Sequence, residues 1–539
     1  MKRSFLIILS LLITTSILAQ DIKETVPTTY DRSSLTTFYI DFPAGSHWKV
    51  AKSKVDSVMF SDKYDNNNYD GRFLAPSITY ESAIGNMTEA IRKELYNANV
   101  GRKIIAKWYN RQPDGTMDME LVHQRGRFTA TDADFLKAQT SKRGNAALED
   151  YGNRLVNLSY ILVIHISDIK TMGEAGFKGM KGWQAKANGY LYRINFNDEI
   201  RNAFYDTWIY DDDSEEVKEQ KRRAFEQLDI PIEPVINKSL SITASQSEND
   251  KGLGLLVKSK STDQLMQELV QKSYDETIYR IEMDVEEFKV KTSLYATRPL
   301  RAKIGLKEGL KTDYRFFVYE HVYNSKTGQA EPKRRGVIRA HSKSKIVDNR
   351  KEATGDTQTS RFYQVAGRKL EPGFTMQQQN DHGIEVSVGP EVGNVAGFYA
   401  RVDYRLGRII GVRSTFAYVE GGVDAADSFG ESYGMLRYGG GLAKGLQLMR
   451  NIELRPYLGL GLEQTTLNIS GTDVEISSLY VRAGANLALN LSHRFQVIGG
   501  AGLYQFGDAT DEDGNTYGTW DSRFNRSGTA VLVGIKLGF

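Results

Sequence analysis

Seven histidines, His47, His123, His165, His321, His341, His382 and His493, are the side chains best suited to proton transfer or metal binding. They are scattered singly, and no pair stands at i, i+4 or at another metal-ligand spacing. His165 lies inside the apolar run 159–166, which reads as a core position. Cysteine is absent, so thiolate metal sites, disulfides and a cysteine nucleophile are excluded. The G-x-S-x-G spacing occurs once, in GESYG (430–434), but it runs into an alternating strand-type segment and not into the helix that a nucleophile elbow needs. KGLGLL (251–256) has two glycines without the third, or the preceding strand, that a phosphate loop needs. YDDDSEE (210–216) reads as the acidic start of a helix, favoured by the helix dipole. DATDEDGN (508–515) puts Ala509 where a calcium loop needs its first ligand, and reads as a polar surface loop. The expectation is a protein that is not an enzyme, with no catalytic residues, cofactor or metal.

The charged side chains with a regular spacing are of another kind. In GFYARVDYRL (397–406), Arg401, Asp403 and Arg405 alternate with apolar residues. Glu453 and Arg455 do so in IELRPYLGLGL (452–462), and Arg482 does so in LYVRAGANLALNL (479–491). Period two means strands, each with an apolar and a polar face. Eight such segments are read at about 384–392, 395–406, 408–420, 432–444, 452–465, 477–491, 494–506 and 528–539. Longer polar links fall at 421–431, 466–476 and 507–527. Composition shifts at the same place. Of 49 glycines, 27 lie in 381–539, whereas that region holds only Lys444 and Lys536 among the lysines.

An even number of such strands, with polar faces turned to one another, predicts an antiparallel transmembrane β-barrel. Its lumen is expected to take Arg401, Asp403, Arg405, Arg413, Arg437, Glu453, Arg455, Glu463 and Arg482. Eight strands leave room only for side chains, so paired charges filling the lumen are preferred over an anion-selective pore. Region 383–539 resembles the small eight-stranded outer-membrane barrels, the OmpA/OmpX-like group. The closing strand GTAVLVGIKLGF is similar to the signal read by the barrel insertion machinery in Gly534, Leu537 and Phe539. It departs from that signal at Leu532, where a polar residue is usual. The resemblance implies outer-membrane lipid and the insertion machinery as partners.

The first twenty residues read as a secretory signal peptide, with Lys2 and Arg3 before an apolar run and Ala19 at its end. Residues 21–250 are read as an α/β domain. It has helices at 81–98, 131–156 and 214–230, with Pro231 ending the last, and a central strand in SYILVIHISDI (159–169). A small β-rich domain is expected over 251–380, with strands at 286–298, 314–324, 334–347 and 361–367. The α/β region resembles the periplasmic fold of the curli-secretion family. Gly309, Lys311, Asp313, Phe317, Val318 and Tyr319 are similar to a strand entry in the β-domain of a flagellar assembly protein.

The fold class expected is therefore multidomain: a periplasmic α/β domain and a small β-rich domain, then an eight-stranded outer-membrane barrel over 381–539. An even strand count puts both barrel ends on one side, so residues 21–380 are expected in the periplasm. The net charge of +3 gives no sign of a nucleic-acid partner. The expected role is non-enzymatic: an anchored envelope protein that binds other envelope components. The alternatives are a small solute pore and a barrel-tethered periplasmic enzyme.

Overall fold

The computed structural model describes residues 32–43, 45–67, 69, 72–74, 86–129, 153–248, 259–326, 329–350, 359–428, 431–469, 472–511, 514–517 and 526–539. The signal-like segment, KGLGLL and most of the 131–156 helix lie outside the described residues. Two compact units divide the chain. One is Tyr30–Lys289 with Lys307–Gly309, and the other is Val290–Leu306 with Leu310–Phe539.

The first unit is a five-stranded mixed sheet with helices on both faces. Strands β1 (Ser34–Ile40), β2 (Phe73–Leu74), β3 (Ser159–Thr171), β4 (Met180–Ile194) and β5 (Ile232–Ser247) run in the order β2-β1-β3-β4-β5. β1 is parallel to β2 and β3; the remaining pairs are antiparallel. The helices are α1 (Trp48–Lys52), α2 (Met87–Asn97), α3 (Val100–Trp108), α4 (Glu120–Thr129), α5 (Asp198–Tyr205), α6 (Glu215–Gln227) and α7 (Thr262–Asp284).

The apolar run of β3 is continuous because it serves two cores. Tyr160, Leu162 and Ile164 pack with α1 and α7 residues such as Trp48 and Leu269. Ile161 and Val163, pointing the other way, pack with Ile91, Ile104 and Trp108 of α2 and α3. A strand covered on both faces loses the alternation that marks a one-sided sheet. His165 is buried beside the ring of Phe42, and burial lowers its pKa. YDDDSEE is a helix start: Ser214 accepts a hydrogen bond from the Val217 N–H, and Glu215 and Glu216 occupy the first turn of α6.

One expectation is overturned here. The β-rich reading began at 251, but 262–284 forms α7, the longest helix described, and it packs on β4 and β5. A Cβ at Gly189 of β4 would stand 2.1 Å from Thr277 Cγ2 of α7. The helix escaped notice because it is buried around much of its circumference, from Leu265 and Met266 to Tyr274 and Ile281. Such a helix has no clear amphipathic stripe.

The second unit begins with a small closed barrel. It comprises β6 (Lys291–Thr297), β7 (Leu300–Ala302), β8 (Arg315–Asn324), β9 (Gln329–Ala340), β10 (Ser360–Gly367) and β11 (Thr375–Gln379), in the order β10-β7-β6-β11-β8-β9. β9 pairs β10 to close it. Phe316, Val318, Ile338, Phe362 and Met376 are buried, and the rings of Phe316 and Phe362 meet edge to face. On β8 the alternate residues Phe317 and Tyr319 form a separate cluster with Val337 and Ala366.

The large barrel follows. Its strands are β12 (Ile384–Gly393), β13 (Gly397–Arg405), β14 (Thr415–Ser428), β15 (Glu431–Lys444), β16 (Leu446–Met449), β17 (Ile452–Ile469), β18 (Thr472–Asn490), β19 (Phe495–Asp511), β20 (Thr516–Tyr517) and β21 (Gly528–Gly538). β16 and β20 are short additions. The other eight make an antiparallel ring, closed where β12 pairs β21 and where β15 pairs β17.

Two details differ from the sequence reading. The segment at 408–420 opens with a helical turn, α8 (Gly407–Ile410), capped by Gly411 at φ 74°; β14 starts only at Thr415. The long outer links at 421–431 and 466–476 are largely strand. β14 pairs β15 up to Ser428–Glu431, and β17 pairs β18 up to Ile469–Thr472. Paired hairpins satisfy their own backbone groups, so polar residues there need not form loops.

Candidate functional site

The large barrel sorts its side chains as the alternation requires. Val402, Tyr404, Val419, Leu442, Leu458, Leu460, Leu479, Val481, Leu503 and Val533 are exposed on the outer surface. Their neighbours in sequence, Arg401, Asp403, Arg405, Arg437, Glu453, Arg455, Glu463 and Arg482, are buried in the lumen.

Every one of these lumen charges has an ionic partner. Near one end, Arg455 bridges Glu453 at 2.5 Å and Glu385 at 2.8 Å, and Glu385 also meets Arg405 at 2.5 Å and Lys536 at 3.2 Å. In the middle, Arg401 pairs with Asp403 at 2.6 Å and lies 3.6 Å from the ring centre of Tyr418. Further along, Arg482 bridges Glu391 at 2.6 Å and Glu420 at 2.8 Å. Arg437 meets Glu391 at 3.2 Å, and Arg526 pairs with Asp424 and Glu463. Tyr399 donates to Glu420 at 2.7 Å. Among the described residues of this network, seven cations thus face seven carboxylates. Buried ions cost several kcal/mol each unless paired and hydrogen-bonded, and matched numbers meet that demand.

The sequence reading found eight of these residues. It did not pick out Glu385, Glu391 and Glu420, although each stands at an inward position of its strand; Ser387 and Gly389 between the first two make that polar face inconspicuous. Arg413 is a correction. It is not in the lumen. It sits in the turn after α8, with its guanidinium 4.9 Å from the ring centre of Tyr363 of the small barrel. The glycine-capped turn breaks the alternation that had assigned it inward. Of the closing-strand residues, Gly534 sits against β12, where a Cβ would lie 2.2 Å from the Val388 carbonyl. Leu537 pairs with Val386 and Phe495, and Phe539 is exposed.

The second part of the site lies where the small barrel meets the end of the large one. Asp313 enters β8 at φ 64° and is fully buried. Its carboxylate accepts from Tyr363 Oη at 2.7 Å and from the Ser414 N–H at 2.9 Å, and it lies 3.6 Å from Arg405. A Cβ on Gly407 would stand 2.1 Å from Asp313 Oδ2, so the turn can approach only because glycine is there. Asp381, just before β12, pairs with Arg339 and with Arg408 at 2.6 Å. Burial alone would raise its pKa, but Arg339, Arg408, Arg315 and Arg405 together hold it well below the carboxylate range. Asn490, ending β18, donates to the Val365 carbonyl at 2.6 Å. His493 in the next turn packs edge-on against Phe317. The cavity left at this junction is about 30 Å³, room for roughly one water.

Two histidines at this junction have depressed pKa values. Burial and the nearby Arg334, Arg315 and Arg494 lower the pKa of His493 to about 3. Burial and Arg413, Arg361 and Lys345 lower that of His341 to about 4. A group depressed in the folded state stabilises it fully above the unfolded pKa, here about 6.5. That stability drains away as pH falls toward the folded values. Protection of the β9 and β10 amides, taken as their exchange relative to the intrinsic rate at each pH, should therefore fall between about pH 6.5 and pH 4 while that of the large barrel's strands holds. Unchanged protection over that window would mean that these histidines do not stabilise the junction.

No protein-family model and no curated protein matches the chain. Among solved structures, Neisserial surface protein A is 10% identical, covering 29% of this chain and 94% of that one at a TM-score of 0.22. Ail, the attachment invasion locus protein of Yersinia pestis, is 12% identical over 29% of this chain and 95% of that one, at 0.20. A major outer membrane protein from Thermus thermophilus is 16% identical over 29% and 100%, at 0.21. The ring's own strand order and its apolar exterior carry the assignment. The C-terminal region is an eight-stranded barrel of the small outer-membrane type.

Proposed function

We propose that this is an outer-membrane protein whose barrel is an anchor, with the work done by the α/β unit and the small barrel. The observation that carries the reading is the filled lumen, in which Arg455 and Arg482 are each held between two carboxylates and Arg401 is paired with Asp403 over the Tyr418 ring. A conduit needs mobile water and unpaired charge along its path. The small barrel set across one end of the ring narrows any path further. Because eight strands return the chain to its starting side, the small barrel and the α/β unit belong to the periplasm in this reading. With no catalytic constellation argued from the sequence, their role is to bind other envelope proteins, as a scaffold or assembly factor.

In planar bilayers the full chain should give no stable channels. Steps of fixed size that disappear in Arg401→Ala, Arg455→Ala and Arg482→Ala would favour the pore instead. Crosslinking in intact envelopes through residues 30–289 should recover periplasmic or envelope proteins, and protease added to whole cells should leave those residues uncut. Cleavage there, or recovery of nothing but lipid, would defeat the scaffold reading.

A further inference from the structure

The two ends of the large barrel differ in charge. Among the described residues, the hairpin ends at 424–432, 466–476 and 507–527 hold seven carboxylates against one arginine. The opposite turns, 406–414, 445–451 and 491–494, hold Arg408, Arg413, Arg450 and Arg494 and no carboxylate at all. Arg408 is committed to Asp381 and Arg413 to Tyr363, whereas Arg450 and Arg494 are exposed.

These basic turns also expose large apolar side chains. Ile409 is 71% exposed, Met449 68% and Leu491 60%, with Ile410 and Leu448 beside them. Turns in water are ordinarily built from small polar residues. The small barrel adds two cations at the same place. The Lys343 N–H donates to the Gly411 carbonyl at 2.9 Å. The Lys343 stem lies over Gly411, 3.1 Å from where a Cβ would be, and Lys343 and Lys345 are both exposed. Apolar side chains continuous with a lipid-facing belt, and rimmed by long cations, match the boundary between acyl chains and headgroups. There the apolar groups insert and the cations reach phosphate.

We propose that these turns and the adjoining Lys343–Lys345 loop form a binding surface for anionic phospholipid headgroups. The surface fixes the depth of the barrel and holds the small barrel against the bilayer. This inference rests on the barrel being membrane-embedded, so its test separates the two ideas. The chain has no cysteine, so a single introduced thiol can carry an environment-sensitive dye. Full-length Ile409→Cys, and Val481→Cys from the middle of the belt, would be labelled and reconstituted in phosphatidylcholine vesicles with and without phosphatidylglycerol.

The dye at 409 should be quenched by lipids carrying a quencher at headgroup depth, and the dye at 481 by lipids carrying one near the middle of the acyl chains. The wild-type chain should enrich phosphatidylglycerol around itself. That enrichment should fall about fivefold for each cation lost among Lys343→Gln, Lys345→Gln, Arg450→Gln and Arg494→Gln. A dye quenched at 481 but not at 409, or enrichment unchanged in the fourfold variant, overturns the headgroup surface and leaves the membrane barrel standing. No quenching at either position overturns both. Circular dichroism matching the wild type shows each variant folded; all these positions are exposed.

Discussion

Replacing Arg482 with Leu is expected to destabilise the large barrel by about 3–5 kcal/mol, as for other buried pairs that lose one partner. The arginine bridges Glu391 and Glu420, and its guanidinium lies 4.7 to 4.9 Å from the ring centres of Tyr399, Tyr457 and Tyr504. Leucine leaves two carboxylates short of a cation in a lumen packed with side chains. Arg437 still meets Glu391, but Glu420 keeps only the hydroxyls of Tyr399 and Tyr480. Urea unfolding of the chain in lipid vesicles measures the loss. Adding Glu420→Gln to Arg482→Leu should recover a large part of it, because neighbours in one network are not additive. A loss under about 1 kcal/mol, within the range of exposed pairs, would mean that the ion pairs do not hold the lumen closed.

Asp313→Ala should loosen the small barrel from the large one by about 2–4 kcal/mol, from one lost charged hydrogen-bond set and an arginine left less well paired. The Ser414 N–H loses its acceptor and Tyr363 loses the carboxylate it donates to. Arg405 keeps Glu385, which limits the damage inside the lumen. Asp313→Asn separates charge from backbone, because asparagine also tolerates the left-handed conformation. Gly407→Ala should release the same contact from the other side, since its Cβ would collide with Asp313 Oδ2. Hydrogen exchange over β9 and β10, compared with β17 and β18, reads the effect. Faster exchange in the small barrel alone is the expected result. Equal acceleration in both barrels would make Asp313 a general stability residue, with no special role at the junction.

The strands were legible because a membrane barrel writes its environment into each strand separately. Leu458 and Leu460 must face outward and Glu453 and Arg455 inward, whatever the rest of the chain does. That is a local rule of period two. It failed where the chain left the wall, at Gly407–Ser414, and Arg413 was lost with it; at 421–431 and 466–476 the strands run on past the segments it marked. The α/β unit was readable where a strand or helix had its own signal, as in β3 and in α6 with its Ser214 cap. It was not readable in α7, whose neighbours cover it on several sides, although Ser261 and Gln264 form a capping box at its start.

By itself the sequence determined which residues are walls and which are lumen, because alternation along a strand is a property of neighbours in the chain. Only the tertiary structure decided who pairs with whom. Arg455 finds Glu385 seventy residues away, Arg482 finds Glu391 ninety-one away and Asp313 finds Ser414 one hundred and one away. Those distances along the chain close only when strand order, register and shear are fixed together. A Coulombic partner is chosen by proximity in space, about which a list of charges says nothing. The closing of the lumen and the seating of the small barrel on it are therefore decided by the fold.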